Sequence, residues 1–164
     1  MIWEVFRRMT EIKTEQKLEL NNVLSFRGKI KQAELEAVGK ALEQEAVLAG
    51  AKVVGNPVSA TYAVEQDEID IELLLPIDRE ITPQEKYVFK KEIRIVNAAM
   101  VAYKGNLTGL QEACNELNQY MLEHKMQPIT VGYNVTKYID PMNLDNTEVE
   151  IYVGVSPNIK YKLL

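Results

Sequence analysis

One order of predicted elements, strand–helix–strand–strand, occurs twice in the sequence at a nearly constant spacing. Phe26-Arg27-Gly28 matches Tyr103-Lys104-Gly105, and the run from Glu72 to Ile77 matches that from Glu150 to Val155 at an offset only one position larger. Four elements at nearly one offset do not arise readily by chance, and two copies are too few for a solenoid, which needs at least about three. We therefore expect one α+β domain over residues 1–164, with two pseudo-symmetric repeats at 18–77 and 88–155. The sheet should be largely antiparallel, with the helices on one side.

In the first repeat, the spacing of apolar residues changes from element to element. The stretch from Leu18 to Phe26 alternates as a half-buried strand does, and Arg27-Gly28-Lys29 is predicted to end it. The next predicted elements are a helix with an apolar stripe at Leu35, Val38, Leu42, Ala46 and Ala49, a left-handed cap at Gly50, a strand from Val58 to Val64, a hairpin turn at Gln66-Asp67-Glu68 and a strand from Ile69 to Ile77.

The second repeat follows a polar segment, 78–86, which contains Pro83 and is predicted to link the repeats. Thr108 and Gln111 have the spacing of a capping box at a helix start. The predicted elements are a strand from Tyr87 to Tyr103, a helix with a stripe at Leu110, Cys114, Leu117 and Met121 that Pro128 stops, and strands at 131–139 and 147–155. Residues 1–12 have spacings compatible with a short docking helix and also with a strand.

The charge and hydropathy of the chain exclude several classes of protein. The net charge of −5 argues against a nucleic-acid-binding protein, whose affinity comes largely from basic side chains on phosphates. The basic pairs Arg7-Arg8 and Lys90-Lys91 are interpreted as solvated surface. No apolar stretch approaches the roughly 20 residues that span a bilayer, and the N-terminus lacks the charge order of a secretory signal. We therefore expect a cytoplasmic protein with no direct nucleic-acid contact and no membrane contact.

Three segments carry a resemblance to a known family: Ala98 to Gly105, the helix from Leu110 to Leu117 with its exit at Pro128, and Thr147 to Val155. They resemble the effector-binding domain superfamily of the gyrase-inhibitor-like proteins, which also occurs in some AraC-type and MerR-type regulators. The resemblance covers residues 18–155 and is strongest in the second half. Gly154 stands where the family usually has Pro, whereas the first half keeps Pro76 at the matching position.

The resemblance implies a groove on the face of the sheet opposite the helices, with the family's ligand-site Glu at Glu150. Strand alternation agrees, because Glu150 and Tyr152 point away from the apolar row of Val149, Ile151 and Val153. Glu72 holds the pseudo-symmetric position. A carboxylate among apolar and aromatic neighbours loses hydration, and a cationic ligand restores its stability. The pattern alone favours a solvent-facing residue on an open sheet face for Glu150, and the resemblance brings the two interpretations to equal weight. The candidate ligand-binding residues are Glu150, Tyr152, Tyr103, Tyr133 and Glu72, with Tyr62 and Trp3 as further aromatic candidates.

Three functions remain open at this point. The first is a stand-alone protein that binds a small hydrophobic or cationic ligand, since the segment before the first predicted strand at Leu18 is too short for a helix-turn-helix domain. The second is a hydrolase like some members of the superfamily, with Glu150 as base and Tyr103 or Tyr152 orienting. The third is an interaction module for a protein partner, or a homodimer. No cofactor and no metal are expected, and the single Cys114 is interpreted as a buried, inert thiol on the helix stripe.

Overall fold

The computed structural model describes residues 9–157, and its elements follow the predicted order. They are β1 (Met9–Lys31), α1 (Leu35–Leu48), β2 (Val58–Glu65), β3 (Glu68–Pro76), β4 (Tyr87–Gly105), α2 (Leu110–Glu123), β5 (Pro128–Tyr138) and β6 (Thr147–Val155). Short 3-10 turns precede α1, α2 and β6. The α+β class and the antiparallel pairing predicted from the sequence are confirmed.

The chain forms two compact units, whose boundaries fall inside β1 and β4. We call Glu19–Arg94 the Glu72 unit, and residues 9–18 together with 95–157 the Glu150 unit. Each name refers to the acidic residue on the middle strand of that unit's sheet.

In the Glu72 unit, β3 lies between β1 and β2, and both pairings are antiparallel. The β2–β3 hairpin turns at Gln66, whose φ is 54°. Helix α1 packs on the sheet through Leu42 and Ala46, which share a buried cluster with β1 and β3. This cluster comprises Leu24, Leu42, Ala46, Ala51, Leu75, Ile77, Ile81 and Tyr87.

In the Glu150 unit, β6 lies between β4 and β5, again antiparallel to both. Helix α2 packs on this sheet through Ala113, Leu117 and Met121, and Cys114 is half-buried beside them. Each large apolar side chain buried in this way stabilises the fold by roughly 1.5–3 kcal/mol. The cluster comprises Ala99, Val101, Tyr103, Ala113, Leu117, Met121, Val149, Ile151, Val153 and Val155.

The ends of the helices follow backbone chemistry that was only partly predicted. Helix α1 stops before Gly50, which has the expected left-handed φ of 85°. The capping box at Thr108 is wrong, because Asn106 accepts the Thr108 N–H at 3.0 Å in the 3-10 turn before α2. Pro128 does not stop α2, which ends at Glu123, and Lys125 turns the chain with a φ of 54°. Pro128 instead begins β5.

Strand β1 is longer than predicted at both ends. It begins at Met9 and continues through Gly28 to Lys31, because β3 supplies a pairing partner as far as Glu68. The part of residues 1–12 that the structure describes is therefore strand, and the rest of that segment, with Trp3 and the pair Arg7-Arg8, lies outside the described residues. No helix among residues 9–157 is long and apolar enough to cross a membrane.

Gly154 near the end of β6 is explained by a close approach of β5. Its N–H donates to Thr130 Oγ1 at 2.8 Å, a bond that proline cannot make. A Cβ at this position would lie 2.8 Å from Thr130 Cγ2 and 3.2 Å from Ile95 Cγ2. The packing thus accounts for glycine where the resembled family usually has proline.

Candidate functional site

Strand β6 places its side chains alternately on the two faces of the sheet. Val149, Ile151 and Val153 are buried in the cluster with α2, whereas Glu148, Glu150 and Tyr152 are half-buried on the other face. This alternation follows from the twofold period of a strand and is the one expected from the sequence.

Glu150 has two polar neighbours within its unit. The Tyr152 hydroxyl donates to Glu150 Oε1 at 2.9 Å, and Lys137 Nζ lies 3.8 Å from the same oxygen. The Glu150 side chain is 25% exposed and that of Lys137 is 45% exposed. A carboxylate accepts about four hydrogen bonds in all, so within the part of the chain that the structure describes, one hydrogen bond and one longer ion-pair contact leave Glu150 capacity for a further partner.

The strands beside Glu150 contribute no charge at the paired positions. Ala102 on β4 and Val135 on β5 lie directly opposite Glu150. Tyr133 lies opposite Tyr152 in the same ladder, so both rings belong to the face that carries Glu150.

Tyr152 is held as a neutral phenol. Burial and the hydrogen bond to the Glu150 carboxylate together raise the pKa of Tyr152 to about 12. At neutral pH its hydroxyl therefore acts as a donor to Glu150 and not as a nucleophile.

A cleft of about 370 Å³ opens beside Glu150. It is bordered by three acidic residues, two lysines, one tyrosine, one threonine and two small apolar residues. The residues around it are Thr10, Glu11, Ala102, Tyr103, Lys104, Lys137, Glu148, Val149 and Glu150.

Tyr103 is placed differently from the other candidate tyrosines. It is 3% exposed, belongs to the buried cluster with α2, and donates its hydroxyl hydrogen to the Asn106 carbonyl. Its pairing with Val149 puts it on the apolar face of the sheet, although it also borders the cleft. The alternation of Ala99, Val101 and Tyr103 along β4 was the sequence signal for this placement.

Glu72 lies in the other unit and is fully surrounded by donors. It is 5% exposed and accepts hydrogen bonds from Ser25 Oγ at 2.8 Å and Lys90 Nζ at 2.5 Å on Oε2, and from Tyr62 OH at 3.3 Å on Oε1. Burial by itself would raise the pKa of Glu72, but the hydrogen bonds from Lys90 and Ser25 outweigh it and the pKa is lowered. Glu72 is therefore an ionised, internally paired carboxylate at neutral pH.

Three polar partners of the two acids were missed by sequence reasoning. Lys90 was interpreted as solvated surface, and this is wrong, since it pairs with Glu72; its neighbour Lys91 is exposed as predicted. Ser25 carried one signal, because its polar side chain interrupts an otherwise apolar stretch of β1, while nothing local marked Lys137. Among residues 9–157, no group of three or more His, Cys, Asp or Glu side chains is placed to hold a metal ion.

No protein-family model matches the sequence, and no curated protein sequence matches it either. Solved structures do match. The C-terminal domain of EcmrR has a TM-score of 0.73 and 17% identity, over 91% of this chain and 98% of that domain. In the complex of EcmrR with DNA, the match spans 57% of the EcmrR chain.

Two further matches bear on chemistry. A hydrolase from Listeria innocua has a TM-score of 0.59 and 12% identity, over 94% of this chain and 95% of that one. SAV2435, solved with bound tetraphenylphosphonium, has a TM-score of 0.53 and 10% identity, over 91% of this chain and 94% of that one. The chain therefore has the fold of these proteins, which is the fold that its resemblance to the gyrase-inhibitor-like effector-binding superfamily predicts.

Proposed function

We propose that the Glu150 unit binds a small lipophilic cation, with the Glu150 carboxylate as its counterion. The observation that carries this proposal is the state of Glu150: it is three-quarters buried, yet among residues 9–157 its polar contacts are one tyrosine hydroxyl and a lysine 3.8 Å away. A carboxylate that has lost most of its water and gained few donors is stabilised by a cation.

The surroundings of Glu150 favour a bulky apolar cation over a small hydrated one. Tyr152 and Tyr133 present aromatic rings on the same face, and each ring attracts a nearby cation by about 0.5–2 kcal/mol. A lipophilic cation needs no hydrogen-bond acceptors beyond the charge itself. The tetraphenylphosphonium bound to SAV2435, a protein of the same fold, supports this class of ligand.

Calorimetric titration with tetraphenylphosphonium tests the proposal. We expect the wild-type protein to bind it and Glu150→Gln to bind at least about tenfold more weakly, a loss of about 1.4 kcal/mol. Glu148→Gln is the matched control, because Glu148 lies on the same face of the same strand and also borders the cleft. It should bind within about twofold of wild type, since Glu148 lies further along β6 from Tyr152 and its partner Tyr133 than Glu150 does.

Equal binding by wild type and Glu150→Gln would remove Glu150 from the site. If both glutamine variants bind equally weakly, the negative charge of the protein as a whole, and not Glu150 in particular, attracts the cation. Thermal unfolding of the unliganded variants, compared with wild type, separates loss of the site from loss of the fold.

A second candidate function, hydrolysis, is favoured by the contact between Glu150 and Tyr152 and by the fold shared with the Listeria hydrolase. Glu150 would act as general base toward a water, and the neutral Tyr152 hydroxyl would orient it. Turnover of p-nitrophenyl esters above the buffer rate, lost in Glu150→Gln and kept in Glu148→Gln, would identify an enzyme. Cation binding without turnover would support the first function alone.

A further inference from the structure

The Glu72 carboxylate has the components of a cation site within its own unit. The carboxylate is buried and ionised, and the hydroxyl group of Tyr62 donates a hydrogen bond to it. Like Glu150, it lies on the middle strand of its unit's sheet. The two acids differ in the cationic groups that lie beside them.

Two cationic side chains of this unit lie beside the Glu72 carboxylate and the Tyr62 ring. Lys90 Nζ contacts Glu72 Oε2 at 2.5 Å, while the Lys90 side chain remains 37% exposed and reaches the acid from the surface. The Arg27 guanidinium lies 3.5 Å from the centroid of the Tyr62 ring. Arg27 is held there by paired hydrogen bonds to Asp70 at 3.0 and 3.2 Å.

We propose that Lys90 is a specificity-determining residue, an intramolecular counterion that takes the cation position beside Glu72 and closes this unit to external cations. The site beneath Lys90 is thus a latent site for a primary alkylammonium, which carries the same head group as the lysine side chain. The inference concerns the Glu72 unit and does not depend on whether Glu150 binds a cation.

Shortening Lys90 should open the site. In Lys90→Ala the carboxylate keeps the Ser25 and Tyr62 donors but loses its charge partner, and the space of a three-carbon amine is vacated. We expect n-propylammonium chloride to raise the Tm of Lys90→Ala saturably, by about 3 °C at tenfold excess over its Kd. Wild type and the double variant Lys90→Ala/Glu72→Gln should show no saturable rise.

Two matched controls separate this effect from salt and volume. Tetramethylammonium chloride has the same charge but no N–H donors, so it should not reproduce the rise. Lys90→Met removes the charge but keeps the side-chain volume, so n-propylammonium should not enter.

If Lys90→Ala is unfolded without amine, circular dichroism replaces the Tm measurement. The supporting result is then that n-propylammonium restores the folded spectrum of Lys90→Ala and does not restore that of the double variant. A folded Lys90→Ala with no saturable response, an equal response in the double variant, or an unfolded variant that the amine does not recover would each overturn the inference. Because Glu150 is intact in all these variants, tetraphenylphosphonium binding reports separately on the first proposal.

Discussion

Glu72 and Glu150 both lie on the middle strand of a three-stranded antiparallel sheet, but their carboxylates are satisfied in different ways. Glu72 receives a serine, a tyrosine and a lysine from within its unit, whereas Glu150 receives one tyrosine and a lysine at 3.8 Å. The same residue type on the middle strand of two sheets can therefore be closely paired in one and have fewer described partners in the other.

The neighbouring strands account for this difference. Directly opposite Glu72 on β1 is Arg27, while the residue opposite Glu150 on β4 is Ala102. Glu72 thus pairs directly with Lys90 from β4 and interacts more weakly with Arg27 from β1, whose guanidinium is hydrogen-bonded to Asp70. The side chains on adjacent strands, more than the acid itself, therefore decide how many partners a carboxylate has within the protein.

The most direct test of the difference between Glu72 and Glu150 is to replace the lysine beside each acid and compare the loss of stability. Lys90→Met should lower the free energy of unfolding by about 2 kcal/mol, because it leaves the buried Glu72 carboxylate without its charge partner. Lys137→Met, the matched change beside Glu150, should cost less than about 0.5 kcal/mol, since the two groups are 3.8 Å apart and the Lys137 side chain is 45% exposed. Urea denaturation measures both. Similar losses for the two variants would show that the acids are equally dependent on their lysines.

The pH dependence of stability sharpens the comparison for Glu72. Its pKa in the folded protein lies below the ordinary value of 4.5, so its stabilising contribution is present above that pH and is lost as the pH falls through the lowered pKa. Wild type should therefore exceed Glu72→Gln in unfolding free energy by about 1.5 kcal/mol at pH 7, the low end of the range for a hydrogen bond to a charged group. The gap should shrink below pH 4.5. A gap that stays constant down to pH 3 would contradict the lowered pKa.

The smallest expected effect concerns the ends of the two middle strands, where β3 has Pro76 and β6 has Gly154. Gly154→Ala should cost about 1 kcal/mol, because the new methyl group displaces Thr130, which accepts the Gly154 N–H. Gly39→Ala is the control, since open space surrounds Gly39 inside α1 and the change should stabilise the helix by about 0.5–1 kcal/mol. Thermal unfolding of both variants checks the signs. Stabilisation by Gly154→Ala would mean that β5 does not press on β6 at this point.

Local periodicity predicted most of the elements and one face of the candidate site. The bounds of β6 and the placement of Glu150 and Tyr152 opposite Val149 and Ile151 follow from alternation alone. Tyr103 shows the limit of choosing residues by type, since its aromatic ring marked it as a ligand contact while its position on β4 put it in the buried cluster. The proposed internal duplication and the ligand roles of these residues stay predictions.

The sequence by itself determined the order of elements, the helix stripes and the faces of the strands, because each of these depends on residues a few positions apart. Only the tertiary structure decided which side chains meet at each acid. Ser25 and Lys90 are distant from Glu72 along the chain, and no local pattern carries the information that they meet it. The register of strand pairing is also decided by the tertiary structure. The sequence match between the two halves makes Lys104 the counterpart of Arg27, which pairs with Glu72. In the structure, however, Lys104 pairs with Glu148, and Ala102 lies opposite Glu150. Strand pairing is set by the packing of whole faces, so it is fixed only when the sheet and its helix assemble together.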